Sequence, residues 1–143
     1  MTTVLVDTSI LMKWFHATGE GDVAAARAIR DANVRGDVDA RIVDLALYEV
    51  GNVLHTRLRW SASDIGDQLD DLIAACGPPI AMIPAWLRDA AALAAKHSLT
   101  FYDAAWAATA RALGVPLVSA DDRLVAAGLA LSPAAAARRM LLS

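Results

Sequence analysis

The 143-residue chain predicts an α/β fold in which a mainly parallel sheet lies between helices, and three patterns predict it. Short apolar, β-branched runs alternate with longer stretches of helical periodicity, the pattern of strands joined by crossover helices. Two of those runs, Thr2-Thr3-Val4-Leu5-Val6 and Pro116-Leu117-Val118-Ser119, come from opposite ends of the chain. Each is followed by an acid, Asp7 and Asp121. Ligands of open α/β sheets sit outside the carboxyl ends of the strands, so acids delivered there mark a candidate active site rather than packing.

Residues 3–6 read as a buried strand, with a short helix over 10–15. Gly19-Glu20-Gly21-Asp22 is a turn, and Asp22 is placed to cap a helix that runs to about Val34 and stops at Gly36. Arg41-Ile42-Val43 is a second strand, feeding a helix over 45–60. In that helix Leu47, Val50, Gly51, Leu54 and Leu58 recur at helical spacing and mark the buried face. Glu49, Asn52 and Thr56 fall on a different stripe. Ser61 or Ser63 caps the next helix, which ends near Gly77, and Pro78-Pro79 introduce a third strand over 80–83. Pro84 begins a helix with Trp86, Ala90, Leu93 and His97 on one face. A further helix covers 102–113, with Gly114 as its stop, and Leu117-Val118 is the fourth strand. A short helix follows Asp121, and Ser132-Pro133 opens a last alanine-rich helix. No repeat or linker interrupts the pattern, so residues 1–143 read as a single domain.

Counted with glycine and without tyrosine, the apolar fraction is about 61%, against roughly 45–50% for an average globular protein. Much of the excess is alanine in helical stretches, and some of it is expected to cover an interface. No apolar run reaches the roughly 20 residues that span a bilayer, so no membrane association is expected. Asp7 arrives before a signal-peptide core is complete, and Cys76 has no disulfide partner within the chain. Both features suit the cytoplasm. A net charge of −3 argues against a broadly basic surface that coats nucleic acid. It leaves room for a nuclease in which metal ions neutralise phosphate locally.

Four carboxylates sit where such a site would need them. Asp7 and Asp121 follow strands, Asp103 opens a helix, and Glu49 lies in the first turns of another. Helix N-termini favour the negative charge at Asp103 and, more weakly, at Glu49. Convergence of all four would demand a cation to offset their repulsion. Hard oxygen donors without histidine or thiolate select Mg²⁺ or Mn²⁺ over zinc. The chemistry that uses such a cage is in-line attack of metal-activated water on a phosphodiester.

The stretches Val4-Leu5-Val6-Asp7-Thr8-Ser9, the helix bearing Glu49, Phe101-Tyr102-Asp103-Ala104-Ala105 and Leu117-Val118-Ser119-Ala120-Asp121-Asp122-Arg123-Leu124 together resemble a PIN-domain ribonuclease. The subgroup they are most similar to is the VapC toxins of toxin–antitoxin pairs. The resemblance covers essentially the whole chain, with the motifs in family order. It implies a PIN-like three-layer α/β/α sandwich, usually dimeric, acting as a metal-dependent endoribonuclease that cleaves cellular RNA and is silenced by a cognate antitoxin protein. It also implies that Asp7, Glu49, Asp103 and Asp121 bind one or two Mg²⁺ or Mn²⁺ ions, with Thr8 and Ser119 hydrogen-bonding around them and Asn52 in support beside Glu49. The family pattern of a hydroxyl residue, any residue, Asp, two residues and Leu selects Asp121 from the Asp121-Asp122 doublet. Asp122 is then a helix cap or an outer contact of the site.

Plainer readings exist for three of the four acids. Asp7 serves equally well as an N-cap. Glu49, on periodicity alone, is a solvated helical glutamate, and Asp103 is a favourable first-turn charge. His16, His55 and His97 lack metal-ligand spacing and read as surface or boundary residues. Trp14, Trp60, Trp86 and Trp106 read as packing. Arg27 and Arg30 on one helix, with Arg57 and Arg59 at the end of another, form either solvated surface or a rim that tracks RNA. Two further functions fit the motifs: a PIN nuclease of RNA maturation or decay, and a non-catalytic interaction module. Four retained, mutually repelling acids argue against the module. A phosphotransfer receiver would need an acidic pair before the end of its phosphoacceptor strand and a lysine late in the sheet, and neither pattern is present.

Overall fold

The computed structural model describes residues 1–140. The order of elements is β1 (Thr2–Val6), α1 (Thr8–Phe15), α2 (Val23–Arg35), β2 (Val38–Arg41), α3 (Leu45–Thr56), α4 (Ala62–Cys76), α5 (Pro84–His97), α6 (Phe101–Leu113), β3 (Leu117–Val118), α7 (Asp122–Ala126) and α8 (Pro133–Arg139). The three strands form a parallel sheet in the order β2-β1-β3, flanked by helices. Single parallel bridges extend it at both edges, Val43 with Ile80 and Val118 with Leu131. The first strand of the chain is therefore the middle strand of the sheet, and Val4, Leu5 and Val6 on it are buried.

The strand expected over 80–83 shrinks to the one bridging residue, Ile80, whose amide donates to Ile42 O at 2.8 Å and whose carbonyl accepts from Asp44 N at 3.0 Å. The physical reason is proline at both ends. Pro79 has no amide to donate, and Pro84 starts α5 only a few residues later. The strand expected at 41–43 lies instead at Val38–Arg41, because Gly36 at φ +85° turns the chain straight from α2 into the sheet. The helix expected to reach Trp60 ends at Thr56.

Asp22 does not cap α2 with its side chain. Its φ of +53° is left-handed, whereas an N-cap oxygen reaches the free amides from extended backbone. Ser61, not Ser63, caps α4, its hydroxyl accepting from Asp64 N at 3.1 Å. Ser132 does the same for α8 through Ala135 N.

Much of the apolar excess has an internal use. Residues 104–110 of α6 are all buried, five of them alanines, and α6 lies against β1 and β3 with α5 packed on its other side. Small side chains let three layers approach closely at that point. Trp14 is buried and its indole N–H donates to Ala26 O at 3.0 Å, joining α1 to α2. Phe15 and Trp60 meet edge to face with centroids 5.8 Å apart. No described helix is long and apolar enough to cross a membrane.

Leu5 is fully buried at the centre of the sheet. Leu5→Ala should destabilise the fold by about 3 kcal/mol, because transfer and cavity terms add in a close-packed core. Urea unfolding of the variant against the parent measures it.

Candidate active site

The sequence turns from β1 into α1 without a loop, and Asp7 occupies the joint. Its amide donates to Val118 O at 3.3 Å, continuing the β1–β3 ladder by one residue. Its Oδ1 accepts from Ile10 N at 3.3 Å and from the Ser9 hydroxyl at 2.5 Å. Asp7 is thus the N-cap of α1 and, at the same time, a wall of a cavity at the carboxyl end of the sheet. The two readings of this residue are compatible.

Ser9 links the two strand ends. While its hydroxyl donates to Asp7, its oxygen accepts from Ala120 N at 2.9 Å, just beyond β3. Two residues back, buried Ser119 accepts from Asp121 N at 3.0 Å, which turns Asp121 toward the cavity. Asp121 Oδ1 in turn accepts from Arg123 N at 2.9 Å and caps α7. Thr8, the first residue of α1, donates its hydroxyl to Glu49 Oε1 at 2.9 Å and so ties α3 to the end of β1. Thr100 caps α6 through Asp103 N at 3.1 Å, which sets Asp103 in the first turn.

Asp7, Glu49, Asp103 and Asp121 all line this one cavity of about 320 Å³, together with Thr8, Ser9, Met12, His16, Glu20, Val53, Arg57 and Trp106. They share the space without being drawn in around a single point. Among the described residues, no three acids, histidines or cysteines are gathered closely enough to ligate one ion as they stand. The donor chemistry nonetheless suits a hard divalent cation, since carboxylates and hydroxyls supply most of the polar groups in the walls.

The electrostatics carry the same message. Burial pushes the Asp7 carboxyl up to about 6 from 3.8, and the charge of Asp103 adds to that. The hydroxyls of Ser119 and Ser9 and the Ile10 amide pull it back only in part. Asp103 is also raised, first by burial and then by the charge of Asp121. The cavity has more negative charge than its own cations offset.

Asn52 and Asp122 are exposed and lie outside the cavity walls. Of the acidic doublet, only Asp121 faces in. Arg27 and Arg30 do not form a rim. Arg27 donates to Lys13 O at 2.9 Å and Arg30 to Trp14 O at 2.6 Å, so both satisfy carbonyls at the end of α1. The sequence reading missed Ser9, His16, Glu20 and Val53 as cavity residues. Val53 was legible in principle, four residues beyond Glu49 on the same helix. Glu20 was not, because it arrives from a turn and is held by buried Lys13 at 3.5 Å.

An acid-lined cavity at the carboxyl ends of a small parallel sheet is the setting for the comparisons with known proteins. The PIN domain pattern matches residues 4–129, and the chain belongs to the PIN-domain family. It is 32% identical over 127 residues to Ribonuclease VapC3 of Pyrobaculum aerophilum, spanning 85% of this chain and 91% of that one. The crystal structure of PAE2754 from the same organism superposes with a TM-score of 0.68 at 25% identity, covering 98% of this chain and 97% of the other. A chain of a toxin–antitoxin complex from Klebsiella pneumoniae gives a TM-score of 0.65 at 19% identity, covering 91% and 97%. That last likeness is one of fold.

The raised Asp7 carboxyl has a consequence for metal-free protein. Between pH 3.8 and about 6 the folded chain holds a proton that the unfolded chain has released. Stability therefore falls as pH rises through that window, by about 3 kcal/mol at most, and the penalty is fully present above it. Asp7→Asn removes the titration. The variant should be about 1–3 kcal/mol more stable than the parent near neutral pH, with the difference vanishing below about pH 4. Chemical denaturation in EDTA across pH checks both sign and window.

Proposed function

We propose that the chain is a Mg²⁺- or Mn²⁺-dependent endoribonuclease, the toxin of a toxin–antitoxin pair, cleaving cellular RNA by attack of water on phosphorus. The observation that carries this reading is the meeting of four acids from distant segments, Asp7, Glu49, Asp103 and Asp121, in one cavity. Likeness to a ribonuclease over most of the chain supports RNA as the substrate.

Asp7, Asp103, Asp121 and Glu49 would hold the cation, which when bound offsets phosphate charge and lowers the pKa of water. The chain's own part is to pre-set the donors. The Ile10 amide and Ser9 hydroxyl fix the Asp7 carboxylate, and Thr8 fixes that of Glu49. Ser119 holds the backbone of Asp121. Trp106, buried beneath the cavity, gives the acids an apolar backing that strengthens their attraction for cations.

The partner is a cognate antitoxin with a basic side chain able to enter the acid cavity and replace the cation's charge. A homodimer would use a separate face. The exposed row Ile83, Leu87, Ala91 and Ala95 along α5 supplies an apolar one.

Cleavage mapping of RNA with purified protein tests the reading. Activity should require Mg²⁺ or Mn²⁺, cease in EDTA and leave 5′-phosphate ends. Products with 2′,3′-cyclic phosphate, or full activity in EDTA, contradict it. Asp7→Asn and Asp121→Asn should each lower kcat by about two orders of magnitude or more, while Asp122→Asn stays within about threefold of the parent. Co-expression with the product of a neighbouring small gene should relieve growth arrest and yield an inactive complex. Failure of that arm with cleavage intact assigns the enzyme to RNA maturation or decay.

A further inference from the structure

Glu49, Val53 and Arg57 follow one another along α3 and its C-cap at intervals of four residues, and all three line the acid cavity. At 1.5 Å per residue, Arg57 enters the row about 12 Å from Glu49. Arg57 is the one arginine in the wall, sharing the space with five acids. Yet it forms no ion pair or side-chain hydrogen bond among the described residues, in contrast to the other cations around the site. Lys13 is held by Glu20, Arg123 by Asp121, and Arg27 and Arg30 by carbonyls of α1. Arg57 is an exposed guanidinium that shares the cavity with carboxylates without pairing to them, two helical turns beyond Glu49. Its planar fork matches a phosphate.

We infer that Arg57 grips a phosphate of the RNA backbone next to the one held at the acids, and so sets the strand's path across the cavity. This rests on the nuclease reading. The acids, with their cation, take the reacting phosphate, and Arg57 takes a flanking one. Arg57 is thus a substrate-binding residue, and its contribution belongs to affinity rather than to the chemical step.

Kinetics on a single-stranded RNA oligonucleotide with Mg²⁺, together with binding by fluorescence anisotropy in an Asp7→Asn background, test this. Arg57→Gln should raise KM about tenfold while lowering kcat less than about threefold, and Arg57→Lys should recover most of the loss. In the Asp7→Asn background, Arg57→Gln should reduce the slope of log affinity against log salt by about 0.7, the value for one phosphate contact on a single strand. Thermal unfolding of Arg57→Gln should match the parent, since the side chain holds nothing in place. Unchanged KM and salt slope overturn the inference. So does a loss confined to kcat, which would move Arg57 to the reacting phosphate. If the parent cleaves no RNA, the nuclease reading fails, and the salt slope alone then decides whether Arg57 contacts phosphate.

Discussion

Asp7 is held at the carboxyl end of the middle strand by its neighbours on every side, and the rest of the site is arranged around that placement. Its amide belongs to the sheet, its carboxylate caps α1, and only one-twentieth of its surface meets solvent. A carboxylate so buried is costly to ionise without a partner, which is why its proton is retained up to about pH 6 in the metal-free chain. The same group both caps α1 and lines the cavity.

From this follows the part played by the hydroxyls. Thr8, Ser9 and Ser119 flank the acids, and the first two tie distant chain segments together. Thr8 joins α1 to α3, Ser9 joins the ends of β1 and β3, and Ser119 fixes the turn that carries Asp121. Neutral donors hold a carboxylate in place while leaving its charge in force. Cations would hold it as firmly but cancel that charge. The division is visible in the basic residues near the site: Arg27 and Arg30 are spent on carbonyls of α1 and Lys13 on Glu20, and only Arg123, at 3.9 Å from Asp121, approaches one of the four acids. A cavity built this way keeps a surplus of negative charge, and Arg57, the one arginine in its wall, pairs with none of the acids.

The alanine content of α6 belongs to the same design. The helix that carries Asp103 must lie close on β1 and β3 to bring its first turn to the strand ends, and small side chains permit that approach. Composition alone assigned some of this apolar surplus to an interface. Packing shows that a large share of it is consumed within the domain.

The α/β class, the burial of the first strand, the capping of α4 and α8 and the four acids were all legible in the sequence, because each depends on local chemistry: strand propensity, hydroxyl caps and motif spacing. Glu49 is the instructive case. Its periodicity makes it a solvated helical residue, and only its place among motifs singled it out. The sequence alone could not say that the strand at 80–83 is a single bridge, that Arg27 and Arg30 serve carbonyls, or that Glu20 and Ser9 line the acid cavity. Those facts depend on which distant segments the sheet order β2-β1-β3 brings together. Periodicity within one element carries no information about the partner that another element will offer it.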